Sequence, residues 1–189
     1  MTDGTVTLTL EWRSGDDHLV AAYRIENRAT RPVLVFDRIF ATLPQGGRVI
    51  EAGRAYVRIN EEGLLVIEKL IPPLPADRDV ESPEVPYARL LEPGAALLGE
   101  ARLTVPVLTT PAYGRPGSAV GRARSRTAMF RIGYVGVEPE TPGKSLMFGE
   151  ETLWSLPHFW AAPRQQVLTG PTIDIDVPMA GVAQQLTKP

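Results

Sequence analysis

The stretch from Leu19 to Phe40, LVAAYRIENRATRPVLVFDRIF, decides the fold class of this chain. In its first run, residues 19–26, one parity is wholly apolar while polar side chains appear on the other, the period of two that marks a half-buried strand. Its second run, residues 33–40, is apolar on both parities, which is typical of a strand buried on both sides. The pair predicts an antiparallel sheet within a β-sandwich.

Further strands follow on both sides of this stretch. Thr5 to Arg13 alternates in the same way, and Ala55 to Lys69 reads as a hairpin whose turn ends at Gly63, where a left-handed residue is needed. A Pro-Gly turn at 92–94 precedes a strand over 95–107, and strands are expected at 128–137 and 166–177. The count of about eight to ten strands without a strong helix predicts an all-β fold.

The connections between these strands are long and rich in proline. Residues 71–87 and 109–127 are predicted to be long surface loops, and 138–150 a shorter Pro/Gly-rich connection. The segment 152–162 fits either a short helical turn or an irregular aromatic plug. We expect one domain over residues 1–189, with a frayed polar tail at 178–189.

Composition excludes several classes of protein. The 189 residues are 43% hydrophobic, which argues against wholesale disorder, and the net charge of −2 gives no reason to expect a nucleic-acid partner. No cysteine is present, so disulfides and thiolate metal sites are excluded. The sequence has no transmembrane stretch and begins without a signal peptide, which predicts a cytoplasmic protein, or a periplasmic or secreted one if a leader has been removed.

Three elements resemble immunoglobulin-like and fibronectin-III-like sandwiches. They are the strand 23–27 followed by 31–33, the Leu91-Glu92-Pro93-Gly94 turn before a long strand, and the late strand 130–134. Their order is similar to that of bacterial immunoglobulin-like domains, including those that resemble intracellular proteinase inhibitors. The resemblance covers about two thirds of the chain and implies a fold, and because fold does not imply function it assigns no functional residue.

The common catalytic motifs are missing from the sequence. It contains no nucleophile elbow, no phosphate-binding glycine loop and no zinc-protease helix motif, and its two histidines, His18 and His158, lie far apart along the chain. No cofactor and no metal site are predicted. Asp174 and Asp176 share one face of a strand, where a solvated face is favoured over a cation site, since a cation needs more oxygen ligands.

Two groups of residues are the candidate binding sites. The densest aromatic group contains Trp154, Phe159 and Trp160 together with His158, and it fits either a plug at the open end of the core or a surface that anchors a ligand. Arg122, Arg124 and Arg126 alternate, so that in an extended chain their guanidinium groups project on one side and are candidates to bind an anion. A solvated loop beside acidic neighbours is favoured for them.

The sequence favours a non-enzymatic binding or protein-interaction module whose loops carry recognition of an unknown protein or small ligand. A second hypothesis is a carboxylate-dependent hydrolase or carbohydrate-active protein that uses two of four acidic residues as acid and base. These are Asp37, Glu138, Asp174 and Asp176. A third is an assembly subunit that pairs through an exposed strand edge. For the Asp37-Arg38 pair, which follows the apolar run, the sequence favours a structural role.

Overall fold

Strands make up most of the computed structural model, which describes residues 5–42, 45–113 and 124–180. Within these ranges the one α-helix is a single turn, α1 (His158–Ala161), followed by a 3-10 turn at Ala162–Arg164. The strands are β1 (Val6–Ser14), β2 (His18–Asn27), β3 (Val33–Arg38), β4 (Phe40–Thr42), β5 (Arg48–Ile50), β6 (Tyr56–Ile59), β7 (Leu65–Lys69), β8 (Tyr87–Leu91), β9 (Ala96–Thr104), β10 (Arg124–Gly136), β11 (Lys144–Phe148), β12 (Glu151–Ser155), β13 (Gln166–Thr169) and β14 (Ile173–Pro178).

The first layer of the sandwich is a three-stranded antiparallel sheet in the order β1-β2-β9. The alternation in β2 is as predicted, because Leu19, Ala21, Tyr23 and Ile25 are all buried against the second layer. The Tyr23 ring lies directly over Gly99 of β9, where an added Cβ would collide with the ring and its hydroxyl. Gly99 is therefore the residue that lets this large side chain enter the interior.

The second layer is a nine-stranded sheet that runs β11-β12-β8-β3-β10-β7-β6, with β13 and β14 paired to the long strand β10. Among the described strands of this sheet, every pair is antiparallel except that of β7 with β10, which is parallel. The predicted all-β antiparallel sandwich is confirmed, with the correction that this single pair is parallel. At Ile132, β10 has a neighbouring strand on each side: Ile132 pairs with Leu168 of β13 along one edge and with Lys69 of β7 along the other.

Both faces of this second sheet are covered near β3. Val33 and Val35 face the first sheet within the main core, whereas Leu34 and Phe36 face a smaller apolar cluster on the outside. That outer cluster also contains Ile71 from the loop after β7. The apolar run on both parities of β3 is thereby explained, and β3 is buried along its whole length.

The predicted turns lie where their glycines require them. Gly63 closes the β6–β7 hairpin with φ of 85°, and Gly94 has φ of 76° in the turn before β9. Both are left-handed conformations that glycine adopts without steric cost. The Leu70–Pro86 segment contains no strand or helix, in agreement with the expected long connection.

Several predicted boundaries are wrong. Residues 124–127 belong to β10 rather than to a loop, and residues 114–123 of that predicted loop lie outside the described part of the chain. The 138–150 connection contains β11, which forms a two-residue hairpin with β12 through Gly149 at φ of 61°. The sequence offered a signal here, since glycine at the first central position is typical of a type II′ turn.

The end of the chain also differs from expectation. The alternating segment 166–177 is two strands, because Gly170, Pro171 and Thr172 separate β13 from β14. Pro178 ends β14 and Met179 is buried, so these residues are packed rather than frayed, while residues 181–189 lie outside the described part. Within the described residues no helix is long and apolar enough to cross a membrane.

Candidate functional site

Two neighbouring residues of β7 place charges on opposite faces of the second sheet. Lys69 has the parity of the core residues Leu65 and Ile67 and points between the sheets, whereas Glu68 points to the outer face. Each is part of a cluster with arginines from other strands. We call them the inner cluster, which is Asp37 with Tyr23, Arg38, Lys69, Arg89 and Glu151, and the outer cluster, which is Glu68 with Arg58 and Arg131.

The inner cluster is built around a β-bulge in β3. Phe36 pairs with Ala88 and Arg38 pairs with Tyr87, so Asp37 is the extra residue on its strand. A bulge of this kind redirects a side chain and commonly lies beside functional sites. Here it gives the fully buried Asp37 carboxylate three side-chain donors from its surroundings.

Those donors saturate the Asp37 carboxylate. Arg89 donates from Nε to both carboxylate oxygens at 3.0 and 2.9 Å, and its Nη2 also contacts Oδ2. Arg38 donates from Nη1 at 3.0 Å, and the Tyr23 hydroxyl donates at 3.3 Å. Burial, followed by the nearby Asp37 charge, raises the pKa of Tyr23 well above its usual range, so this hydroxyl keeps its proton and acts as a donor.

Lys69 closes the inner cluster from the side of β7. Its Nζ donates to two backbone carbonyls, Asp37 O at 3.1 Å and Ala52 O at 2.5 Å, and lies 5.5 Å from the centre of the Tyr23 ring. Burial lowers the pKa of Lys69 from 10.5 to about 7, against the opposing effect of the Asp37 charge. The ammonium is thus held by two backbone carbonyls at the cost of its hydration.

Both inner arginines also have partners other than Asp37. Arg38 forms a two-armed pair with Glu151 at 2.9 and 2.6 Å, and its hydrogen bonds lower the pKa of that carboxyl. Arg89 donates to Leu98 O at 2.9 Å and so bridges the two sheets. Through these contacts the inner cluster joins the two layers of the sandwich, with Asp37 and Lys69 fully buried at its centre and Glu151 partly exposed at its end.

The outer cluster arises from strand register. The parallel pairing of β7 with β10 sets Arg131 directly beside Glu68, and Arg58 of β6 lies diagonally across the hairpin. Glu68 accepts from Arg58 at 3.0 and 3.2 Å and from Arg131 at 2.8 Å. Its carboxylate is nearly buried, while both guanidinium groups remain partly exposed. Two positive charges thus surround one negative charge at an accessible surface.

These three residues line a cleft of about 410 Å³ on the outer face. The cleft is also lined by the start of the loop after β7, at Pro72, Pro73 and Leu74, by His158 of α1 and by Val167 of β13. A smaller cleft of about 190 Å³ adjoins it beyond Pro72 and Pro73 and is lined by Tyr56 and Tyr113. The site therefore combines a charged floor with apolar walls.

Gln165 fixes the wall of this cleft. Its side-chain carbonyl accepts from the Ile71 N–H at 2.7 Å, and its amide donates to Ile71 O at 3.1 Å. An added Cβ at Gly133 of β10 would collide with the Gln165 side-chain carbonyl. Gly133 therefore makes room for the clamp that holds the loop against the sheet.

The structure divides the predicted aromatic group. Trp154 and Trp160 are half-buried and pack on the outer apolar cluster rather than on the main core. Phe159 points away with 78% of its surface exposed, and His158 lines the cleft. Arg164 lies over the Trp160 ring at 5.0 Å. Of the four predicted ligand-binding residues, only His158 is among those that line this cleft.

The predicted arginine row lies elsewhere. Arg122 falls outside the described residues, and Arg126 is exposed on β10. Arg124 forms a 2.6 Å ion pair with the exposed Asp176, and that hydrogen bond lowers the pKa of the aspartate. The acidic neighbour that the sequence led us to expect beside this row is therefore Asp176 of β14.

The carboxylates of the hydrolase hypothesis occupy different environments. Asp37 is enclosed between the sheets, whereas Asp174 and Asp176 lie on the solvated face of β14, as predicted. Glu138 follows β10, where its backbone N–H donates to the Thr141 hydroxyl. Among the described residues no group of three or more histidines or carboxylates is arranged to hold a metal ion.

Sequence reasoning missed the outer cluster. Arg58, Glu68 and Arg131 lie on three strands, and only the parallel register of β7 and β10 brings the third beside the others. The available signal was a glutamate within an apolar strand run, which needs a partner when it is buried. No protein-family model, no curated protein and no solved structure matches this chain.

Proposed function

We propose that this protein is a non-enzymatic binding module whose ligand occupies the cleft over the outer cluster. One observation carries the proposal: Glu68 holds Arg58 and Arg131 side by side at the floor of a cleft of about 410 Å³. Charged groups that are already oriented lose little side-chain entropy on binding, so the site is prepared for a ligand.

The donors that remain on these arginines support this assignment. Among the described residues, Arg58 Nη1 has no acceptor, and neither do Arg131 Nε and Nη2. In the inner cluster, by contrast, the Arg38 and Arg89 side chains each bond more than one partner. A rigid sheet that presents convergent polar groups beside apolar walls is the usual form of a ligand site.

A fragment titration followed by NMR tests this proposal. The uniformly labelled full chain is mixed with neutral, cationic and anionic fragments, and amide shifts are followed for Ile71, Arg131 and Val167 at the cleft. Asp174 and Asp176, at a separate cleft of about 550 Å³, serve as the internal control. We expect shifts concentrated at the first group. The proposal would be refuted if the fragments shifted only the amides of Asp174 and Asp176, or none of these amides.

Assembly through a strand edge is the second candidate function, and β11 favours it. This strand ends the nine-stranded sheet, and all five of its residues are exposed. Leu146, Met147 and Phe148 are consecutive exposed apolar residues, with Leu146 and Phe148 on one face of the strand and Met147, 68% exposed, on the other. An unprotected apolar edge is a template for pairing with another strand.

A second copy of this chain is the partner that fits the β11 edge. Antiparallel pairing about a two-fold axis brings Lys144 at one end of the strand toward the exposed Glu150 of the partner copy, which gives opposite charges at both ends. Sedimentation equilibrium over a wide concentration range should show a dimer that Met147→Lys weakens. Phe159→Lys, at an exposed apolar residue elsewhere, is the matched control and should leave it intact. A monomer at every concentration would exclude this function.

The immunoglobulin-like relationship is a further proposal at the level of fold. Its support is the two-layer all-β arrangement with a turn at Gly94 before the long strand β9. Recognition by such a scaffold would use loops held by rigid strands, and the loop after β7, clamped at Ile71 by Gln165, fits that description.

A further inference from the structure

We infer that the cleft selects a carboxylate attached to an apolar stem, either a short-chain carboxylic acid or the carboxyl terminus of a peptide. This inference rests on the proposed function and specifies its ligand class. It follows from the charge at the floor of the cleft, the chemistry of the walls and the geometry of the free donors.

The charge of the outer cluster suits a monoanion. Arg58 and Arg131 contribute two positive charges and Glu68 contributes one negative charge, which leaves one positive charge to be balanced. A carboxylate supplies a single negative charge, whereas a phosphate monoester carries closer to two near neutral pH. Because the Glu68 carboxylate repels any anion beside it, the second charge of a phosphate is unfavourable here.

The donors that are left without an acceptor in the outer cluster suit a planar anion. Arg131 uses Nη1 for Glu68, and its Nε and Nη2 groups lie on one edge of the guanidinium plane. Two parallel N–H groups on one edge match the two oxygens of a carboxylate. Arg58 retains Nη1 as a further donor at the same floor.

The walls indicate an apolar stem. The lining residues Pro72, Pro73, Leu74 and Val167 offer no charged group, and Leu74 and Val167 are exposed hydrophobic side chains. An aliphatic chain beside the carboxylate would cover these surfaces and exclude water from the ion pair, which strengthens the electrostatic interaction. A hydrophilic acid would gain only the charge interaction.

Calorimetric titration of the wild-type chain with five probes tests the inference. The probes are hexanoate, its neutral analogue hexanamide, hexyl phosphate, and the peptide Gly-Gly-Leu with a free or amidated carboxyl terminus. We expect hexanoate to bind at least about tenfold more tightly than hexanamide, since a charge-assisted pair is lost in the amide. Hexyl phosphate should bind more weakly than hexanoate.

The peptide distinguishes the two sources of the carboxylate. Tighter binding of the free-acid peptide than of hexanoate identifies a peptide terminus, and weaker binding identifies a small carboxylic acid. Equal binding of hexanoate and hexanamide, tighter binding of hexyl phosphate, or no dependence on the peptide carboxyl group would overturn the inference. If neutral fragments still shift the cleft amides in that case, the proposed function stands while its ligand class is wrong.

Substitutions locate the binding to the outer cluster. Arg131→Gln should weaken hexanoate binding by about tenfold or more. Arg58→Gln should weaken it by less, because Arg58 has one nitrogen without an acceptor, Nη1, whereas Arg131 has two, Nε and Nη2. Arg124→Gln, at an exposed arginine paired with Asp176, is the matched control and should bind as the wild type does. Hexanoate affinity that is unchanged in both cleft variants, with their fold verified by circular dichroism, would also overturn the inference.

Discussion

The inner and outer clusters share the same chemistry, a carboxylate held by two arginines, and they lie on opposite faces of the second sheet. The Asp37 carboxylate is fully buried, and its arginines, Arg38 and Arg89, have only 6% and 19% of their side chains exposed. The outer arginines, Arg58 and Arg131, have 45% and 31% exposed. Burial is therefore the main difference between two otherwise similar groups.

This difference in burial explains how a carboxylate held by two arginines can join two sheets in one place and leave donors for a ligand in another. Where water is excluded, an unpaired charge is costly, so each inner group must be satisfied by the protein and the cluster joins the two sheets. Where the guanidinium groups reach solvent, unused donors cost little, and they remain available to a ligand. The neighbouring residues Glu68 and Lys69 are separated into these two environments because side chains alternate along a strand.

Neutralising the inner carboxylate should have the largest effect. Asp37→Asn leaves Arg89 and Arg38 without their shared anion in the interior, and we expect a loss of about 3–5 kcal/mol in the free energy of unfolding, as for a broken buried ion pair. Urea denaturation monitored by circular dichroism measures it. A loss below about 1 kcal/mol would show that the inner cluster is not held by charge.

The pH dependence of the free energy of unfolding should show the titration of the buried Lys69 ammonium group. Its pKa is about 7 in the folded chain and 10.5 as the ordinary value, so between these pH values the unfolded state binds more protons than the folded state. The contribution of Lys69 to stability is therefore greatest above 10.5 and is lost as the pH falls through about 7.

Lys69→Met removes that titration and serves as the comparison. The stability of the wild type relative to this variant should rise with pH at a slope approaching about 1.4 kcal/mol per unit within the window. Urea titrations at several pH values measure the difference. Parallel profiles for the two proteins would contradict the buried environment assigned to the ammonium group.

Neutralising the outer carboxylate should cost less. Glu68→Gln is the amide replacement that matches Asp37→Asn, and it leaves two arginines that solvent can hydrate, so we expect a loss of about 1 kcal/mol. It also raises the positive charge of the floor, and so should improve binding of hexyl phosphate relative to hexanoate. A stability loss equal to that of Asp37→Asn would show that burial does not set the energetic difference between the two clusters.

The exposed pair should show the smallest effect. Arg124 and Asp176 form a short ion pair, but both side chains are about half-exposed, at 47% and 59%. Solvent and salt screen such a pair, and holding two long side chains together has an entropic cost. Arg124→Gln should therefore leave the urea midpoint unchanged. A clear destabilisation would mean that hydrogen-bond geometry outweighs burial in this protein.

The sequence predicted much of the fold because local patterns carry it. Alternation in β2, the doubly apolar β3 and the glycine turns at Gly63 and Gly94 all have the predicted conformation, since each depends on a few adjacent residues. The hairpin containing β11 was missed because its residues are exposed and show no alternating burial. Its only local signal was the glycine of the turn.

The candidate site was far less predictable. Of its residues, His158 was singled out for its aromatic neighbours, and Gln165 and Gly133 carry no motif that marks their contact. Arg58 and Arg131 are ordinary strand residues in the sequence. Their meeting at Glu68 depends on the pairing of strands that lie more than 60 residues apart along the chain.

The amino-acid sequence by itself determined the all-β layered architecture, because the period of side-chain burial and the conformational limits of glycine and proline are local properties. The tertiary structure alone decided which charges meet and how deeply they are buried. The bulge at Asp37 and the parallel register of β7 with β10 set those contacts. The free energy of a charge depends on its distance from water and from other charges, and only the folded chain fixes those distances.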